Sequence, residues 1–161
     1  MTKDTVTVIF VHGDSLVDKI IDFASHGQYS HTAMKICGQV IEALGENGNS
    51  DQYPGVWFHS IDKYDNNPNV KMIDVELPDL PSAELEANRL IGKPYSYLSC
   101  LTGGLNDMFG IKLSGDSDLA YDCSKLVAHI LRAGGYVIDG NTPDSDITPM
   151  DDERELARGC D

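Results

Sequence analysis

The stretch YDCSKLVAHILRAGG, residues 121–135, decides how the rest of the chain is read. Its apolar residues recur at helical spacing and Gly134-Gly135 supplies a stop, so the pattern predicts a helix. Asp122 stands where an N-cap belongs, which puts Cys123 in the first turn. The partial positive charge of a helix N-terminus favours thiolate over thiol and lowers the pKa of a cysteine placed there. At about 100° per residue, Cys123, Val127, Ile130 and Leu131 share one face, expected to be buried. Lys125, His129 and Arg132 share another, expected to be solvated. His129 then points away from Cys123, about 9 Å along the axis. A lone cysteine on an apolar helix face is usually a small buried hydrophobe. A nucleophilic Cys123 therefore needs a base from elsewhere in the chain.

Working upstream, TVTVIFV (5–11) is β-branched and apolar and predicts a strand. Asp14 or Ser15 can cap a helix running to about Ala24. HTAMKIC (31–37) and QVIEAL (39–44) predict two strands of a hairpin around Gly38. VWFHSI (56–61) and VKMIDVEL (70–77) predict two more, separated by the turn-rich DKYDNNPN (62–69). Pro81-Ser82 opens a helix over about 82–91, which Gly92-Lys93-Pro94 ends. Residues 99–121 are Gly-rich, with a helix around 98–108 as one reading. Thr148-Pro149-Met150-Asp151 has the form of a capped helix start. Helices lie at both ends of a run of strands, which gives an α+β fold in one domain over 1–161.

Composition narrows the function. The 161 residues carry a formal net charge of −14. Such a surface repels phosphate backbones, so nucleic acid is excluded as the expected partner. The N-terminal MTKDTVTVIFVHGD reads as neither a signal peptide nor a membrane span, and a cytoplasmic location is expected. Cys37, Cys100, Cys123 and Cys160 are widely spaced with no CxxC, so free thiols are expected. The histidines are His12, His26, His31, His59 and His129; no HExxH or paired Cys/His spacing occurs, and neither metal nor cofactor is expected.

Two blocks invite a serine-esterase reading. Gly13-Asp14-Ser15-Leu16 after a strand, and Gly104-Leu105-Asn106-Asp107, resemble the GDSL and GxND blocks of the SGNH hydrolases. The third block of that family, a late DxxH carrying the base, is missing: the last histidine is His129, and Leu126 stands three residues before it. A serine without a base is a poor nucleophile at neutral pH. The alternating strands and helices of that family are missing too. Ser15 is better read as a residue at a strand-to-helix turn.

A different set fits the order of the chain. Gly13-Asp14, Ser30-His31 before a strand, Glu42-Ala43 on the next strand, Gly92-Lys93-Pro94-Tyr95, and Asp122-Cys123-Ser124 occur in that sequence. Together they resemble the permuted branch of the NlpC-type papain-like superfamily, with its YiiX-like amidases and lecithin retinol acyltransferase relatives. The resemblance covers residues 12 to about 150. It implies a circularly permuted papain-like α+β fold with a central antiparallel sheet of about four to six strands. It further implies Cys123 as nucleophile, His31 as general base and Glu42 as the group that orients the imidazole. Tyr95, Asp122 and Ser124 would line the oxyanion and substrate pocket. The implied activity is a cysteine hydrolase, amidase or peptidase, acting on an amide of a peptide or small molecule. Alternatives are a thiol-dependent acyltransferase or thioesterase, and an inactive binding module on the same scaffold. One expectation strains the set. A turn at Gly38-Gln39 puts Glu42 opposite Lys35, about 13 Å along the strand from His31.

Overall fold

The computed structural model describes residues 4–12, 29, 31–45, 54–96, 121–137 and 156. Five strands form one antiparallel sheet: β1 (Thr5–Val11), β2 (His31–Ile36), β3 (Gln39–Leu44), β4 (Gly55–His59) and β5 (Val70–Glu76). Their spatial order is β4-β3-β2-β1-β5, so β2 and β3 lie inside the sheet. Helix α1 spans Leu80–Leu90 and helix α2 spans Cys123–Ala133. The architecture is α+β, as the strand run flanked by helices implied.

Alternation assigns the two faces of the sheet. Val6, Val8 and Phe10 of β1, Met34 and Ile36 of β2, and Ile41 and Ala43 of β3 join one core with α1 and α2. From α2 that core takes Leu126, Val127, Ala128, Ile130 and Leu131. Burying each of the larger ones contributes roughly 1.5–3 kcal/mol before entropy is subtracted. The opposite face carries a smaller cluster of Ile9, Ala33, Val40 and Tyr64. A short 3₁₀ turn, Ile61–Lys63, leads into Tyr64 and roofs that face. It begins at Ile61, where the expected strand 56–61 was to end, and runs into the segment read as a turn-rich loop, so β4 stops earlier, at His59.

Helix α1 starts two residues earlier than its Pro81-Ser82 signal suggested. Asp79 is the cap, its carboxylate accepting from the Ser82 N–H at 3.0 Å. Ala83, Ala87 and Leu90 then form the buried stripe of an amphipathic helix. Helix α2 is less amphipathic in fact than on a helical wheel. Lys125, expected on a solvated face, is 3% exposed. Its ammonium lies 5.1 Å from the centre of the Tyr121 ring, and its stem is covered along with it.

The hairpin joining β2 to β3 differs from expectation in a way that matters for function. The turn residues are Cys37 and Gly38, both with positive φ (55° and 74°), the signature of a type I′ turn. Ile36 pairs with Gln39, Lys35 with Val40 and Met34 with Ile41. Continued by one step, this register sets Glu42 across from Ala33 rather than Lys35. Glu42 and His31 then lie on one face as diagonal neighbours, a separation of about 7–8 Å between Cα atoms that side chains can span.

At the other end of the molecule a backbone crossing fixes the approach to α2. The Val56 N–H donates to the Lys93 carbonyl at 2.9 Å, and the Gly92 N–H to the Val56 carbonyl at 2.9 Å. From there Tyr121 N–H donates to the Pro94 carbonyl and Ser96 N–H to the Tyr121 carbonyl, both at 2.9 Å. The edge strand β4 is thereby tied to the residue two before Cys123. Gly55 permits the crossing, because a Cβ there would sit 2.4 Å from the Lys93 carbonyl oxygen. Gly55→Ala should therefore destabilise the fold by about 2 kcal/mol or more, read from the denaturant midpoint. An unchanged midpoint contradicts the crossing.

Candidate active site

The site grows from a carboxylate that ordinary patterning would have put in water. Glu42 is fully buried on the inner strand β3. Burying a charged group is costly unless it is paired and hydrogen-bonded, so its surroundings carry the explanation. His31 Nε2 lies 3.0 Å from Glu42 Oε2. The Tyr64 hydroxyl donates to the same oxygen at 2.5 Å. On the other oxygen, Oε1, Lys63 Nζ stands 2.5 Å away as an ion-pair partner. Among the described residues Oε1 receives no other polar contact as close, and the ion pair is what compensates it. His59 Nε2, without a hydrogen-bond partner among the described residues, faces Oε1 at 3.8 Å, too far for one.

His31 opens β2 and connects the carboxylate to the helix. Its side chain is 21% exposed, so one edge of the ring remains accessible. It is also hydrogen-bonded to the Cys123 side chain. With Nε2 directed to Glu42, Nδ1 is the nitrogen left for the thiol. Cys123 is a free thiol, 5% exposed, at the first position of α2. Three residues from β2, β3 and the N-terminus of α2 thus form one chain: Cys123, His31, Glu42.

The remaining expected site residues are placed as follows. Asp122 is the N-cap of α2, its carboxylate accepting from the Lys125 N–H at 2.8 Å. That bond holds the first turn, and with it Cys123, in place. Ser124 is buried, and its hydroxyl has no hydrogen-bond partner among the described residues. Tyr95 forms a parallel bridge with Tyr121, close along the chain to Cys123. His129 is turned away as the helix geometry required. Its Nε2 lies 3.0 Å from Glu86 of α1. Ser15, the Gly13-Asp14 turn and the Gly104–Asp107 block lie outside the described residues, as do the helices expected after Asp14 and around 98–108. Lys63 and Tyr64 were not foreseen, because a polar, turn-rich stretch gives no hint that its aromatic residue turns inward, and His59 was read only as part of the strand 56–61. Among the described residues no cluster of three or more His, Cys, Asp or Glu could hold a metal ion. No described helix is long and apolar enough to cross a membrane.

Electrostatics follow from these contacts. For His31, burial works against the charged ring, but the hydrogen bonds with Cys123 and Glu42 and the charges of both outweigh it. Its pKa rises from 6.5 to about 9. For Glu42, burial opposes ionisation, but the His31 hydrogen bond and charge, together with Lys63, hold its pKa down at about 2. Burial, with Glu42 alongside, pushes the Tyr64 hydroxyl far up, so it remains a donor. Burial lowers His59, leaving it neutral beside Lys63 and His31 despite Glu42.

Comparison with known proteins bears on the fold alone. No family model and no curated protein matches the chain. Among solved structures the chain is similar to the metalloprotein yiiX from Escherichia coli O157:H7. They share 19% identity over 89% of this chain and 86% of that one, with a TM-score of 0.43. At such a score the superposition is too loose to carry roles from one protein to the other, and the chemistry of this site stands on its own side chains.

The pKa shifts set a pH window for stability. A raised pKa contributes stability that is complete below the unfolded value and is lost as pH climbs through the folded one. His31 should therefore stabilise the fold fully below about 6.5 and cease to do so above about 9. Glu42, with its lowered pKa, stabilises fully above about 4.5 and loses that contribution as pH falls toward 2. The stability difference between wild type and His31→Gln should thus shrink by up to about 3 kcal/mol between pH 6 and pH 10 in urea unfolding. A difference independent of pH contradicts the charged pair.

Proposed function

We propose that this protein is a cysteine-dependent hydrolase that cleaves an amide through an acyl-enzyme intermediate. The observation that carries the reading is the continuous hydrogen-bonded chain from the Cys123 thiol through the His31 ring to the buried Glu42 carboxylate. A packing cysteine needs no imidazole, and an imidazole in a structural role needs no buried carboxylate behind it. The helix N-terminus adds its partial positive charge on the thiolate side.

In this reading the Cys123 thiolate attacks the carbonyl carbon and a C–S bond forms. The backbone N–H of Cys123 faces the developing oxyanion. The His31 imidazolium gives its proton to the leaving nitrogen as the C–N bond breaks, and a thioester remains. Neutral His31 then takes a proton from water, whose oxygen attacks the thioester. The acid is released and the thiolate returns. Glu42 holds the ring in one orientation and stabilises its charged form in both half-reactions. Tyr95 and Ser124 border the pocket, and the substrates to try first are cell-wall peptides and amino-acid amides.

Thiol reactivity is the test. At about pH 6, iodoacetamide should modify Cys123 faster than Cys37, Cys100 or Cys160, as read by peptide mass spectrometry. The contrast with Cys37 is sharp, because that thiol is exposed and Cys123 is not. His31→Ala should slow the labelling of Cys123 by about tenfold or more, and Cys123→Ala should abolish hydrolysis across an amide and ester panel. Ser15→Ala should leave hydrolysis nearly intact; a loss of about 10³-fold would return the serine-esterase reading. Four thiols that label alike, with no effect of His31→Ala, would make Cys123 a packing residue.

A further inference from the structure

We propose that Tyr64 is the positioning residue of this site: its hydroxyl selects which oxygen of Glu42 meets His31. The inference rests on the triad reading above and extends it to a segment with no recognisable motif. Three observations carry it. The hydroxyl and the His31 ring share the same oxygen, Oε2. Among the described residues, the groups facing Oε1 are a lysine ammonium 2.5 Å away and a neutral histidine at 3.8 Å. Tyr64 itself is 5% exposed, its ring packed with Ile9, Ala33 and Val40, so its hydroxyl has little freedom to look elsewhere.

These contacts describe a balance. The Lys63 ammonium draws the carboxylate toward Oε1 and away from the imidazole. Lys63 is half-exposed and sits on the 3₁₀ turn, where water competes for it. Tyr64 opposes that pull from a fixed, dry position with a strong, charge-assisted hydrogen bond on the His31 side. Being neutral, the phenol does this without placing a second positive charge beside the imidazolium. Ser60 caps the turn through the Asp62 N–H, and the Tyr64 N–H closes it on the Ile61 carbonyl at 2.8 Å, which sets where the ring begins. Without the hydroxyl, the carboxylate swings to Lys63 and His31 loses its orienting partner.

The experiment is a double-mutant cycle on the rate of iodoacetamide labelling of Cys123 at pH 7, in wild type, Tyr64→Phe, Glu42→Gln and the double variant. Phenylalanine keeps the buried ring and removes only the oxygen. Tyr64→Phe should slow labelling about tenfold, the scale of one hydrogen bond to a charged group. In the Glu42→Gln background the same change should cost less than about twofold, because the group it acts through is gone. A merely structural tyrosine would give losses that multiply, and that result overturns the inference, as does a Tyr64→Phe variant as fast as wild type. A wild-type Cys123 no more reactive than the other thiols overturns the triad reading instead. If Tyr64→Phe does not fold, the wild-type protein still decides. A Tyr64 hydroxyl proton protected from solvent and shifted downfield in the NMR spectrum supports the inference, and one in fast exchange with water overturns it.

Discussion

A single ionised carboxylate with no access to water constrains the whole site. Removing the Glu42 charge from solvent costs several kcal/mol, and the cost is offset only by the groups gathered around it. His31, Tyr64, Lys63 and His59 come from β2, the 3₁₀ turn and β4, so three separate elements are committed to one side chain. The sheet must have the right register, and the roofing segment must close over it, before the charge can be tolerated. Removing one partner leaves a buried charge short of compensation, which is costlier than a surface ion pair would suggest. The same commitment keeps His31 protonated and oriented, and so links the stability of the fold to its chemistry.

Much of this was legible in the sequence. The strands over 5–11, 31–36 and 39–44 follow from β-branched runs, and α2 from its apolar periodicity with Asp122 as cap. Cys123 and His31 were legible through the motifs in which they stand. The register of the β2–β3 hairpin was not. Gly-first pairs make good two-residue turns, so Gly38-Gln39 is the natural choice. The turn actually used asks Cys37 to adopt a φ of 55°, a conformation that few residues other than glycine, asparagine and aspartate favour. A shift of the turn by one residue changes the pairing by two, which keeps every side chain on its face and moves Glu42 toward His31. The distance that made Glu42 the doubtful member of the set disappears with it.

What stayed hidden was long-range. Nothing local tells that Tyr64, within DKYDNNPN, turns inward to a carboxylate 22 positions earlier. Lys125 reads as solvated on a helical wheel, yet it is covered on the Tyr121 side. Both are cases in which tertiary packing overrides the polarity pattern. The placement of Cys123 likewise depends on a chain of backbone bonds from β4 through Lys93 and Pro94 to Tyr121, and the Gly92-Lys93-Pro94-Tyr95 block, though visible as a motif, gives no sign of these pairings. The helix supplies the electrostatic environment, and this crossing supplies its address beside the sheet.

The central claim is that Cys123, His31 and Glu42 behave as one electrostatic unit. The most direct measurement is an NMR pH titration of the protein with isotopically labelled histidine, following the His31 ring nitrogens in wild type, Cys123→Ala and Glu42→Gln. In the wild type His31 should remain protonated through neutrality and titrate near pH 9, and each substitution should bring it down. A His31 that titrates at about 6.5 and is indifferent to both substitutions would contradict the account.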